Sequence, residues 1–332
     1  MKNIVFLVFS LAIILLGAEF FTNGIEWLGK KLKLGEGAVG SILAAVGTAL
    51  PETMIPVIAI LFHRGTGGVE VGIGAILGAP FMLGTLAFFM VGSAAFIFRR
   101  SNKALFIDSG IIIRDLQFFI LVYTLAILAT FFPTSSFKMG VAVILVGAYL
   151  IYVYRTIRSS RSNPLGGGSL PPFYFAKGNQ NPPFLRICFQ VLSALFIMVV
   201  GVQIFVDAVQ EVALAAGIPV LILSLIITPI ATELPEKFNS VLWIRRGKDT
   251  LAMGNITGAM VFQSSLIPAL GIALTPWVLE PLALASGLLV LISALGQYFV
   301  LSKKKSLFPA GLLMGGVFYA LFIALVLRGG SF

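Results

Sequence analysis

The sequence predicts an all-α membrane protein of about ten transmembrane helices in two inverted five-helix repeats. Three observations carry that prediction: a composition too apolar for water, ten segments long enough to cross a bilayer, and a register that recurs between the two halves. Of 332 residues, 58% are hydrophobic and 11% charged, more apolar surface than a water-soluble domain of this size can bury. With a single cysteine, Cys188, and a single histidine, His63, neither a disulfide framework nor a His/Cys metal site can be built, so any metal chemistry must use oxygen ligands. The net charge of +10 does not point to nucleic acid, because the basic residues sit in short clusters between apolar runs.

In order, the apolar segments are 3–27, 36–62, 69–98, 111–131, 139–157, 184–214, 219–244, 251–275, 278–301 and 307–327. The first resembles a signal peptide only superficially, since Glu19 and Asn23 run through the would-be cleavage region and the segment has a counterpart later in the chain. Between the fifth and sixth, residues 158–183 are rich in Ser, Gly and Pro, which favours a flexible connector. The chain therefore divides into a first repeat at 1–157, a cytoplasmic linker at 158–183 and a second repeat at 184–332.

Basic residues set the orientation, because cytoplasmic loops retain Lys and Arg. Alternate loops carry Lys30, Lys31 and Lys33; Arg99, Arg100 and Lys103; Arg155, Arg158, Arg161, Lys177 and Arg186; Arg245, Arg246 and Lys248; and Lys303, Lys304 and Lys305. The other set has only Lys2, Arg64, Lys138 and Arg328. Both termini should then lie outside a plasma (inner) membrane. Five spans per half, an odd number, make the second half enter the membrane in the opposite sense to the first.

The halves also align residue by residue. Leu16-Gly17-Ala18-Glu19-Phe20-Phe21-Thr22-Asn23 lies over Val200-Gly201-Val202-Gln203-Ile204-Phe205-Val206-Asp207, and the same register carries Thr48-Ala49-Leu50-Pro51-Glu52 onto Thr232-Glu233-Leu234-Pro235-Glu236. After a loop four residues shorter, Gly74-Ala75-Ile76-Leu77-Gly78-Ala79 falls on Gly254-Asn255-Ile256-Thr257-Gly258-Ala259. Repeats of this kind bind substrate where broken helices from the two halves meet near the midplane.

Those breaks are where the chemistry concentrates. Pro51 lacks an N–H and crowds the preceding turn, freeing carbonyls around Gly47 and Thr48 to face a cation. Thr48 and Glu52 are four apart and share a helix face, as do Thr232 and Glu236. Two such half-sites form an all-oxygen cage with two negative charges, suited to a hard cation such as Ca2+. A carboxylate at mid-membrane costs roughly 2.5–3.5 kcal/mol on insertion scales, which makes an intramembrane Glu a functional candidate by default.

Gly47-Thr48-Ala49-Leu50-Pro51-Glu52 and Ala231-Thr232-Glu233-Leu234-Pro235-Glu236 resemble the two G-T-S-L-P-E signatures of the cation/calcium exchanger superfamily, which includes the sodium/calcium exchangers. Gly74 to Leu83 and Gly254 to Gln263 are similar to its partner G-N-x-x-G-S-N-x-x-N/D segments. The resemblance implies antiport of Ca2+ against Na+ or H+, Glu52 and Glu236 as principal ligands, inorganic cations and the lipid bilayer as partners, no cofactor, no enzymatic activity and a monomer as the transport unit. There are departures. Ala49 and Glu233 stand where the family has serine, as do Ala79 and Ala259, and the last partner position is Leu83 in one half and Gln263 in the other. Several oxygens used for Na+ are thus missing. Glu233 and Lys237, four apart with Glu first, are placed for an ion pair. The ammonium could fill the space of a monovalent cation, or neutralise Glu233 and leave Glu52 and Glu236 as the working pair.

The expected metal-site residues are therefore Glu52, Glu236, Thr48, Thr232, Glu233 and Gln263, with Lys237 coupling or charge-compensating. Each has a plainer alternative: interhelical hydrogen bonding for the glutamates and Gln263, a structural ion pair for Glu233 with Lys237, and bonding back to their own helix for the threonines. Glu19, Gln203, Asn23 and Asp207 are expected to face the bundle or the interface rather than the cation. Asn255 and Thr257 could line the second half-site, while Gly74, Gly78, Gly254 and Gly258 read as close-packing positions. The Arg114-Asp115 and Arg245-to-Asp249 groups are expected at the membrane edge. An antiporter for Mg2+ or Mn2+, a cation channel, and last a membrane-embedded enzyme are the competing function classes.

Overall fold

The computed structural model describes residues 2–31, 49–63, 67–99, 104–161, 171–176, 182–245, 247 and 249–329, and these are helical almost throughout. In the first half α1 spans Lys2–Lys31 and α2 Leu50–Phe62. Next, α3 (Gly68–Met82) runs through a π turn (Leu83–Ala87) into α4 (Phe88–Arg99), followed by α5 (Ser109–Leu128) and α6 (Ser135–Arg161). The second half has α7 (Phe184–Ala216), α8 (Val220–Thr232), α9 (Leu234–Arg245), α10 (Asp249–Leu274), α11 (Pro281–Lys304) and α12 (Pro309–Gly329). Among the described residues, eight helical stretches are long and apolar enough to cross a bilayer. The second and seventh expected spans take a different form: α2 is the described part of one, and the other is broken into α8 and α9.

Local chemistry explains the ends. The Asp108 carboxylate accepts the Gly110 and Ile111 N–H groups at 2.9 and 3.3 Å and caps α5. Pro51 is the second residue of α2, where a helix has no use for its missing N–H. Gly217 closes α7 at φ +63°, a left-handed conformation that a side chain would resist. The π turn follows Pro80 in the same helix, and its Gly84 carbonyl accepts the Ser293 hydroxyl at 2.6 Å.

The packing pairs repeat between the halves. The contact of α2 on α3 is matched by α9 on α10, that of α5 on α10 by α11 on α3, and that of α6 on α10 by α12 on the π turn and α4. The central helices are the buried ones: 61% of Gly68–Phe98 and 78% of Ala252–Leu274 is enclosed, against 24% of Ile4–Phe21. A lone α1–α7 pair flanks this centre, its outer face carrying exposed Ile4, Phe9, Leu185, Phe189 and Phe196 as a lipid-facing surface should.

Two expectations about the connector are corrected. The fifth helix does not stop at 157 but continues to Arg161. Residues 171–176 are not a loose tether; they form a strap across α1 and α7, with Phe173 1% exposed. Side chains from both helices satisfy its main chain. Trp27 Nε1 donates to Pro171 O at 3.0 Å and Asn23 Nδ2 to Pro172 O at 3.2 Å. Tyr174 N–H donates to Asn23 Oδ1 and Phe175 N–H to Gln190 Oε1, both at 3.2 Å. Tyr174 also donates its hydroxyl to Glu19 at 2.6 Å. Glu19 and Asn23 thus serve the interface, as expected, while Asp207 pairs with His63 at 3.3 Å.

Candidate cation site

The second half breaks its second helix at Glu233, and the described part of the corresponding span in the first half begins at the matching residue, Ala49. Ala49 begins α2 at φ −85°, ψ 5°, and Glu233 ends α8 at φ −90°, ψ 1°; both sit in the sparsely populated bridge region where functional residues collect. The main chain then resumes in the same way, with Thr53 N–H donating to Ala49 O at 3.2 Å and Lys237 N–H to Glu233 O at 3.1 Å. Pro51 and Pro235 follow two residues after the breaks. Pro235 has no N–H to offer the carbonyl of residue 231, which leaves that oxygen free of its usual helical donor.

In the first half, Glu52 is buried, at 3% exposure, in the first turn of α2, where unpaired helix N–H groups favour negative charge. Its neighbour Thr53 donates its hydroxyl to Ala49 O at 2.7 Å. In the second half Thr232, Glu233 and Lys237 are all buried. Thr232 donates its hydroxyl back to Thr228 O at 3.0 Å, the intrahelical bond weighed above, which uses the proton but leaves the oxygen able to accept. Lys237 Nζ lies 3.1 Å from Glu233 Oε2, so the expected ion pair forms. Gln263, on α10, is buried with its amide oxygen lacking a hydrogen-bond partner among the described residues. Thr48 and the Glu236 side chain lie outside the described residues; the Glu236 backbone is in the first turn of α9.

These elements converge. Helix α2 packs on α8 and α10, and α9 packs on α10. A Cβ on Gly74 would stand 2.7 Å from Leu221 O, and one on Gly78 would collide with Leu225 O, so both glycines let α3 lie directly against α8, as the sequence suggested. At Gly254 and Gly258 no such approach occurs among the described residues. Among the described residues, which leave out the Glu236 side chain, no group of three His, Cys, Asp or Glu side chains forms.

Two polar groups singled out from the sequence have partners that it did not show. Asp115, expected as a membrane-edge residue, is enclosed between α5, α6 and α10, at 2% exposure. It accepts Tyr152 OH at 3.2 Å and the Thr257 hydroxyl at 2.9 Å, and pairs with Arg114 at 3.2 Å. Thr257 is therefore committed to this brace rather than to the half-site, and Asn255 donates to Ser240 Oγ at 3.3 Å, tying α10 to α9. An acidic residue near the start of an apolar segment was the available signal, but its partners lie 37 and 142 residues away in the chain.

Comparison with known proteins agrees with this architecture. The profile of the sodium/calcium exchanger proteins matches residues 2–158 and 187–328. The putative antiporter CaxA of Alkalimonas amylolytica is 23% identical over 300 residues, 90% of this chain and 89% of that protein. Inner membrane protein YrbG of Escherichia coli strain K12 is 25% identical over 285 residues, 84% of this chain and 83% of its own. Among solved structures, the H+/Ca2+ exchanger CAX superposes with a TM-score of 0.77 at 19% identity, covering 98% of this chain and 82% of that one. The sodium-calcium exchanger NCX_Mj, soaked with Na+ and Sr2+, gives 0.60 at 19% identity and 97% of each chain. At such identities the structural likeness speaks to the fold, while the family profile spans both halves. This chain belongs to the sodium/calcium exchanger protein family, whose members are multi-pass membrane transporters that work without enzymatic chemistry or a cofactor.

Proposed function

We propose that the chain is a secondary antiporter that exchanges Ca2+ for H+ or Na+ by alternating access, with Glu52 and Glu236 as principal ligands. Thr48, Thr232, Gln263 and the carbonyls freed at the helix breaks complete the oxygen set in this reading. One observation carries it most: one helix interrupted at Glu233 and another that starts at the matching residue, Ala49, with the same backbone angles, each with a glutamate three residues on and each packed against the other half. The orphaned amide oxygen of Gln263 adds support, because a buried acceptor without a donor suits a cation better than it suits a dry interface.

The same reading takes the repeats as 1–157 and 184–332, inverted about a cytoplasmic linker at 158–183, in a plasma (inner) membrane with both termini outside and one chain as the transport unit. The alternation of basic and non-basic loops and the paired packing of the helices support it. The α1–α7 pair, which flanks the buried centre and packs on α2 and α8, is then the element that slides to expose the site to each side in turn.

Purified protein in proteoliposomes tests this proposal. Radiolabelled Ca2+ uptake should saturate, should be driven by an outward H+ or Na+ gradient, and should vanish in Glu52→Gln and in Glu236→Gln. Mg2+ and Mn2+ in parallel arms measure ion choice. Unitary currents without counter-ion movement would replace the antiporter with a channel.

A further inference from the structure

The two half-sites share a backbone but not a charge pattern. At the positions that correspond to Ala49 and Thr53, the second half carries Glu233 and Lys237. In the first half the pair is neutral, and Thr53 spends its hydroxyl on the Ala49 carbonyl at 2.7 Å. In the second half it is a carboxylate at the helix break with an ammonium 3.1 Å away, both side chains almost wholly enclosed at 0% and 1% exposure. Lys237 is among the largest fully buried side chains in the protein, and it directly follows Glu236 in the first turn of α9.

Charge makes this arrangement specific. Glu233 and Lys237 cancel, so the halves each contribute one net negative charge, from Glu52 and Glu236. A stretch that needed only packing at this depth could use apolar residues, as position 49 does, without the desolvation of two charges. What the pair adds is a positive point charge on a flexible stem, covalently attached and unable to leave with the transported ions.

Resting on the antiport reading above, we infer that Lys237 is a tethered cation that fixes the coupling ion. Its ammonium takes the place beside Glu233 that a Na+ ion would otherwise occupy, and it repels a second monovalent cation there. The divalent ion is left to Glu52 and Glu236, and exchange proceeds without a requirement for Na+. Removal of the ammonium alone exposes the Glu233 carboxylate and creates a Na+ position; removal of both charges creates none.

The experiment measures radiolabelled Ca2+ uptake into proteoliposomes with and without an outward Na+ gradient, at matched pH on both sides, and radiolabelled Na+ binding to the purified protein. In the unaltered protein the Na+ gradient should leave uptake within about two-fold and Na+ binding at background, whereas Lys237→Ala and Lys237→Gln should show stimulation of about five-fold or more with measurable Na+ binding. The neutral pair Glu233→Gln with Lys237→Gln should return to indifference. The unaltered protein decides by itself even where a single variant does not fold: Na+-driven uptake there overturns the inference. Single variants that carry Ca2+ yet ignore Na+ also overturn it. Absence of Ca2+ uptake in the unaltered protein under every gradient is a different failure, since it removes the antiport reading and this inference with it.

Discussion

Set side by side, the segments around Ala49 and Glu233 show how far backbone symmetry and chemical symmetry can part. Ala49 and Glu233 have nearly the same φ and ψ, and the main chain picks up its next hydrogen bond in the same way after each. Yet at matching positions the first half carries Ala49, Thr53 and the buried apolar Leu83, the second Glu233, Lys237 and Gln263. The polar inventory has moved to one side of the pseudo-twofold axis while the net charge of each side has stayed the same. The break needs a proline and a bridge-region residue; what fills the space around it is set separately.

The largest expected effect tests the part that remains symmetric. Glu52→Gln and Glu236→Gln should each lower Ca2+ exchange by about 100-fold or more, measured as initial uptake, because in the proposed reading each removes a carboxylate ligand from a site holding only two net charges. A loss confined to one of them would make the site one-sided. Next comes the asymmetric position. Lys237→Met leaves the buried Glu233 carboxylate without its ammonium and should cost about 3–5 kcal/mol in denaturant or thermal unfolding, whereas Thr53→Ala, the matching change in the first half, loses one hydrogen bond and should cost about 0.5–1.5 kcal/mol. Equal costs would mean that the two breaks are energetically alike. Gln263→Leu gives the second half the residue of the first; Ca2+ affinity should fall by about ten-fold, with little loss of stability, if the orphaned amide oxygen is a ligand. Smallest in its effect on ion exchange is Gly78→Ala, whose added methyl meets the Leu225 carbonyl of α8. It should cost about 1–3 kcal/mol of stability with ion preference unchanged.

Much of this was legible in the sequence because lipid imposes a simple grammar: a span must be long, apolar and internally hydrogen-bonded, so the segments could be counted before any helix was seen. The breaks were legible for a related reason, since Pro51 and Pro235 recur at one register and each precedes a glutamate. The Glu233–Lys237 pair is a contact along one helical turn, the shortest range at which side chains meet. What escaped was non-local. Asp115 looks like an edge residue until Tyr152 and Thr257 arrive from α6 and α10 to enclose it. The strap at 171–176 has a loop's composition, and only Asn23, Trp27 and Gln190, far off in sequence, give its main chain a fixed seat.

That strap has a mechanical corollary. Its main-chain bonds reach Trp27 and Asn23 on one long helix and Gln190 on the other, and Gln190 itself grips Asn23 at 3.0 Å. If the proposed sliding of α1 and α7 holds, two rods riveted near one end travel as a single gate leaf. When such a leaf swings, closing one doorway and opening the opposite one are the same movement, and a through-passage with both ajar would require the rivets to shear first.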